Sequence, residues 1–84
     1  MIGPAHHIGI AVRDLDTAVE RYRAFGLELE SSVDVPSEDV RVALLASGGA
    51  RVELLAPTRD DSAIGRFLVK RGEGLHHLAF ATGD

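Results

Sequence analysis

The chain holds no cysteine, no hydrophobic run of membrane-spanning length and no cluster of basic residues. Without cysteine there is neither a disulfide staple nor a thiolate ligand, and a reducing compartment is the natural setting. Eighty-four residues form at most one small domain, burying about 60–65% of the surface that the unfolded chain exposes. The stabilisation such a core lacks has to come from a metal or a partner chain. No apolar run approaches the roughly 20 residues of a spanning helix, and Met1-Ile2-Gly3-Pro4 lacks the basic and apolar regions of a signal peptide. A membrane partner is therefore excluded and a cytoplasmic location expected. A net charge of −4 with no basic stripe excludes a nucleic-acid partner. Apolar residues at 45% and charged ones at 26% are ordinary globular values, so neither disorder nor a fibrous class is indicated.

What is present is an internal repeat. His6-His7-Ile8-Gly9-Ile10-Ala11-Val12 reappears as His76-His77-Leu78-Ala79-Phe80-Ala81-Thr82, with Arg13-Asp14 after the first copy and Gly83-Asp84 after the second. Two similar strand openings imply a duplicated supersecondary unit. In the first, Ile8, Ile10 and Val12 take one face, and His7, Gly9 and Ala11 the other. The small residues beside His7 leave room next to the imidazole, a cavity pattern rather than a packed one.

Asp14-Leu15-Asp16 carries N-cap chemistry, and residues 17–25 place Ala18, Val19, Tyr22 and Phe25 on one helical stripe, ended by Gly26. Residues 27–35 alternate as a strand, with Leu27, Leu29, Ser31, Val33 and Val35 on one face and the other solvated. Pro36-Ser37-Glu38-Asp39 is a turn, Val40 to Ala46 a strand, Ser47-Gly48-Gly49-Ala50 a hairpin connection, and Arg51 to Ala56 the fourth strand. A second helix is expected from Ser62 to Lys70, with Ile64, Phe67 and Leu68 as its apolar side and Gly72 as its stop. The order is βαβββ, a connecting helix and one further strand, 75–82. Left alone, that strand would present an open edge to another chain.

His7, Glu53 and His77 are potential metal ligands set in apolar strands. Taken singly, each histidine is a polar residue at a sheet rim, and Glu53, between Val52 and Leu54, belongs on a solvated face because burying an unpaired carboxylate is costly. Taken together, the same histidine in both repeats and an acid in a neighbouring strand point to one site, whose imidazole and carboxylate donors suit Zn²⁺, Co²⁺, Mn²⁺, Fe²⁺ or Ni²⁺. His6 and His76 alternate to the opposite face and read as structural. Asp14, Asp16 and Asp61 read as caps, and Arg59, Arg66, Lys70 and Arg71 as a solvated helix face in preference to a phosphate site.

These residues carry a resemblance. The element order and the three ligand positions resemble the vicinal oxygen chelate superfamily of glyoxalases, bleomycin resistance proteins and dioxygenases. Within it the chain resembles the methylmalonyl-CoA epimerases through residues 6–12, Val52-Glu53-Leu54-Leu55-Ala56-Pro57, Asp61-Ser62-Ala63-Ile64-Gly65-Arg66-Phe67-Leu68 and Gly72-Glu73-Gly74-Leu75-His76-His77. The resemblance implies an α+β fold, a cupped mixed sheet with helices on its outer face. Residues 1–74 would form the first βαβββ module with its connecting helix, and 75–84 would open a second, truncated one. It implies a divalent ion (Co, Mn, Zn or Ni) held by His7, Glu53 and His77, an acyl-CoA substrate, a homodimer, and epimerisation of methylmalonyl-CoA through a metal-stabilised enolate. One family base, a glutamate on the third strand, aligns with Val42; the other, which is also the fourth ligand, lies beyond Asp84. No catalytic base is therefore assigned, and the chain by itself is expected to turn over little. The alternatives are another metalloenzyme of the superfamily, of glyoxalase or dioxygenase type, and a non-catalytic module binding a small ligand.

Overall fold

The computed structural model describes residues 2–82, with side chains for 7–46, 48, 49 and 51–77. The order is β1 (Ile2–Ala11), α1 (Leu15–Ala24), β2 (Glu28–Val35), a 3-10 turn (Pro36–Glu38), β3 (Val40–Ser47), β4 (Ala50–Pro57), α2 (Ala63–Arg71) and β5 (Gly74–Thr82). One mixed sheet runs β2-β3-β4-β1-β5. β1 lies parallel to β4 and antiparallel to β5, while β2, β3 and β4 form an antiparallel meander. The elements follow the expected order. β1 begins earlier than expected because Ile2 pairs with Thr82 at the far end of β5. β5 is thus a strand of this chain's own sheet, paired with β1 along one side and forming the edge of the sheet along the other. The His6 side chain, Gly83 and Asp84 lie outside the described residues.

Both faces of the sheet are packed, as the burial of the adjacent Leu54 and Leu55 requires. Leu54, with Leu45, Ala43, Ala56 and Val12, packs under Leu15 and Ala18 of α1. Leu55, with Ala11 and Val40, packs under Ile64 and Leu68 of α2. Neighbouring residues of a strand point to opposite faces, so the two helices lie on opposite sides. The expected arrangement, helices on the outer face, holds for α1; α2 covers one end of the other face, the one that carries His7, Gly9 and Glu53.

Local chemistry sets the helix ends. The Asp14 carboxylate accepts the Thr17 backbone N–H at 3.2 Å, an N-cap. At the other end Gly26, at φ 99°, supports paired bonds from its own N–H to the Arg23 carbonyl and from the Leu27 N–H to the Tyr22 carbonyl, a Schellman closure. Phe25, expected on the buried stripe, is the cap residue itself and is 83% exposed, because the helix ends before it. In α2 the cap is Ser62, not Asp61, which instead forms an exposed ion pair with Arg59.

β2 departs from simple alternation. Leu29 pairs with Leu45 but Ser31 with Leu44, so Glu30 is an inserted residue. A bulge of this kind reverses the faces of the residues on either side of it. Leu27 packs with the α1 cluster and Val35 with the α2 cluster, whereas unbroken alternation would put both on one face. β2 is exposed on both faces up to Val35. Two surface pairs tie it to the sheet, Arg41 to Asp34 at 2.7 Å and Arg51 to Glu30 at 2.9 Å. The Asp34 carboxylate, chiefly through its hydrogen bond, holds the Arg41 guanidinium above its ordinary pKa.

Candidate metal centre

Strand register brings the three candidate ligands together. Gly9 pairs with Glu53 on one side and with His77 on the other, so β4, β1 and β5 present Glu53, Gly9 and His77 as one row. His7, two residues before Gly9 on β1, shares that face. The centre of the row has no side chain, and the His77 imidazole leans across it: a Cβ at Gly9 would lie 2.6 Å from its Nε2. The space expected beside His7 is therefore real, and the His77 ring fills it.

The Nε2 atoms of His7 and His77 are 3.1 Å apart, and His77 Nε2 is 3.4 Å from Glu53 Oε1. The two rings meet edge to face with centroids 5.1 Å apart. One ligand atom from each of His7, Glu53 and His77 lies within 4.8 Å of the other two. Metal–donor bonds of about 2.0–2.2 Å in tetrahedral or octahedral geometry put neighbouring donors about 2.8–3.6 Å apart, and the two measured separations fall inside that range. The three residues are partly buried, which leaves room for outside ligands on the open side. An open groove of about 570 Å³ begins at Glu53 and His77 and runs between the 3-10 turn and the start of α2, where Ser37 and Arg66 line it. Two imidazoles, one carboxylate and free positions form a donor set for a borderline divalent ion. Such a site can draw charge onto the oxygens of a bound ligand.

Alternation places Gly9 on the His7 face, and a glycine inside a strand marks close approach by another group. It does not reveal the position of His76, expected on the opposite face. β5 pairs His77 with Gly9 but Leu75 with Ile10, so His76 sits in a bulge. Its ring lies against Phe67 of α2 at 5.0 Å and beside His77, with the two Nδ1 atoms 2.9 Å apart. Val42 pairs with Leu55, one row along from the Leu44–Glu53 pair, and packs with the α2 cluster. This part of the site face is apolar. Arg59 is held by Asp61, and an Arg66 Nη1–H donates to the Asp61 carbonyl at 2.6 Å. No helix of the described residues is long and apolar enough to cross a membrane.

A βαβββ sheet with two imidazoles and a carboxylate converging on one face defines the vicinal oxygen chelate class of fold. The chain belongs to the Glyoxalase/Bleomycin resistance protein/Dioxygenase superfamily, whose profile matches residues 6–84. It is 36% identical over 86 aligned residues to the ethylmalonyl-CoA/methylmalonyl-CoA epimerase of Cereibacter sphaeroides, covering 100% of this chain and 64% of that one. It is 35% identical to the human mitochondrial methylmalonyl-CoA epimerase, covering 99% of this chain and 48% of that one. A solved structure of a Streptomyces coelicolor methylmalonyl-CoA epimerase variant with 2-nitronate-propionyl-CoA superposes with a TM-score of 0.88 at 45% identity, covering 100% of this chain and 65% of the other. The chain thus spans between about half and two thirds of the length of these relatives.

Proposed function

We propose that this chain supplies the first module of a metal-dependent isomerase of the methylmalonyl-CoA epimerase type, acting in the cytoplasm on an acyl-CoA as part of a homodimer. In this reading His7, Glu53 and His77 hold a divalent ion, Co²⁺, Mn²⁺, Zn²⁺ or Ni²⁺, and β5 opens a second module. The observation that carries it is the convergence of three side chains, distant in sequence, around the bare backbone of Gly9. Relatives named as epimerases of methylmalonyl-CoA support the substrate. The pairing of the repeats supports the second module. His7 pairs with Ala79, Ile8 with Leu78 and Gly9 with His77, so positions 70 apart exchange across a local two-fold axis that passes between Ile8 and Leu78.

When bound, the ion would supply positive charge at the thioester and carboxylate oxygens of a malonyl-type substrate while the proton between them leaves. The residues of this chain would orient those oxygens toward the His7, Glu53 and His77 row and accommodate the acyl group in the adjoining groove. Val42 presents a hydrocarbon surface where the family places a base, so the proton must leave to a group other than Val42. That single residue favours a second reading, a module that binds a small ligand without turnover.

Metal analysis should find about one ion per chain, and much less in His7→Ala; equal content in both would reject the site. Deuterium exchange at the α-carbon of methylmalonyl-CoA separates the two readings. The 84-residue chain should exchange slowly or not at all, and the chain extended with a second module rapidly. Absence of exchange in the extended protein would leave the binding module.

A further inference from the structure

We infer that His76 is a positioning residue, which holds the His77 imidazole by accepting its Nδ1–H and so fixes the Nε2 lone pair toward His7 and Glu53. The inference rests on the metal reading proposed above. Its basis is the pair of contacts made by one ring: His77 Nδ1 lies 2.9 Å from His76 Nδ1, while His77 Nε2 lies 3.1 Å from His7 Nε2 and 3.4 Å from Glu53 Oε1. A neutral imidazole has one N–H and one lone pair. For Nε2 to ligate, the hydrogen must be on Nδ1, and its neighbour there has to be an acceptor. His76 Nδ1 is that acceptor when its own hydrogen is on Nε2.

The backbone makes this contact available. In an unbroken strand His76 and His77 would point to opposite faces. The register skips His76, Gly9 pairing with His77 and Ile10 with Leu75, and a bulge re-aims a side chain in this way. The His76 ring is then set edge to face against Phe67, centroids 5.0 Å apart and planes at 81°. Phe67 in turn packs against the cluster of Val40, Leu55, Ile64 and Leu68. A continuous line of contacts therefore runs from α2 through Phe67 and His76 to the ring that faces the site. A partner that fixes a ligating histidine's tautomer and orientation typically changes metal affinity by about 10–100-fold.

The test uses two variants of the whole chain and Zn²⁺ alone. His76→Phe keeps a ring against Phe67 and removes the acceptor; His76→Asn keeps an oxygen acceptor near the Nδ1 position. Titration calorimetry should show zinc binding weakened on the order of tenfold or more in His76→Phe and largely restored in His76→Asn, with little change in thermal midpoint for either. In the zinc-loaded parent, proton–nitrogen spectra should show the His77 Nδ1–H as a slowly exchanging, hydrogen-bonded proton that His76→Phe loses. Equal zinc affinity in parent and His76→Phe, or equal losses in both variants, would overturn the positioning role while leaving the site intact. A parent that takes up no zinc would remove the metal reading and this inference together.

Discussion

Gly9 shows how a residue without a side chain can determine a site. Glu53 and His77 flank it in the sheet, and any Cβ there would overlap the His77 ring. The flexible partner gives way first, because an imidazole can swing out whereas the paired backbone cannot. Gly9→Ala should therefore keep the fold and lose the site: zinc affinity falls on the order of tenfold or more with a nearly unchanged far-ultraviolet spectrum and thermal midpoint. An alanine variant that binds zinc like the parent would show that His77 need not lie over position 9. The convergence of His7, Glu53 and His77 was legible in the sequence because a repeat picks out the two histidines and an acid stands among apolar neighbours. The placement of His76 was not, because it follows from a skipped pairing with β1, a non-local event that alternation along β5 alone does not encode.

Elements were legible wherever local chemistry sets their ends. Asp14, Gly26 and Gly72 mark limits of the helices by capping, and Gly48 and Gly49 form the turn between Ser47 and Ala50; the start of α2 was legible to within a residue, its cap being Ser62 where Asp61 was expected. The face reversal of β2 was not legible, since it depends on Glu30 having no partner opposite it in β3. Among the caps Ser62 carries the most structure: it is 6% exposed, its Oγ accepts the Gly65 N–H at 3.1 Å and its hydroxyl donates to the Arg59 carbonyl at 2.7 Å. Ser62→Ala strands a buried N–H at the start of α2 and should cost about 1–2 kcal/mol. For a domain this small that corresponds to a fall of roughly 4–8 °C in thermal midpoint per kcal/mol, read by calorimetry. Ser62→Thr, which keeps the oxygen, should recover most of the loss, and a fall as large in the threonine variant would point to packing instead of the cap. The same change loosens α2, on which Phe67 and hence His76 rest, so zinc affinity should fall with it.

In the whole molecule the first and last strands meet at the sheet's centre of repetition, and the candidate ligands span that junction. Glu53 stands on β4, His7 on β1 and His77 on β5, so an ion held by all three would cross-link three adjacent strands, one of them the end of the chain. A domain of this size is marginal by its burial alone, and any ligand that binds only the folded state stabilises it by mass action. At a zinc concentration about 100 times its dissociation constant the gain is about 2.7 kcal/mol, which for this length raises the midpoint on the order of 10 °C. The rise should grow with the logarithm of zinc concentration, reverse with a chelator and vanish in His7→Ala. Hydrogen exchange separates this from zinc bound elsewhere on the acidic surface, since only cross-linking at the row would slow the amides of β5 that pair with β1. An equal midpoint rise in the parent and His7→Ala would place the bound zinc outside the His7, Glu53 and His77 row.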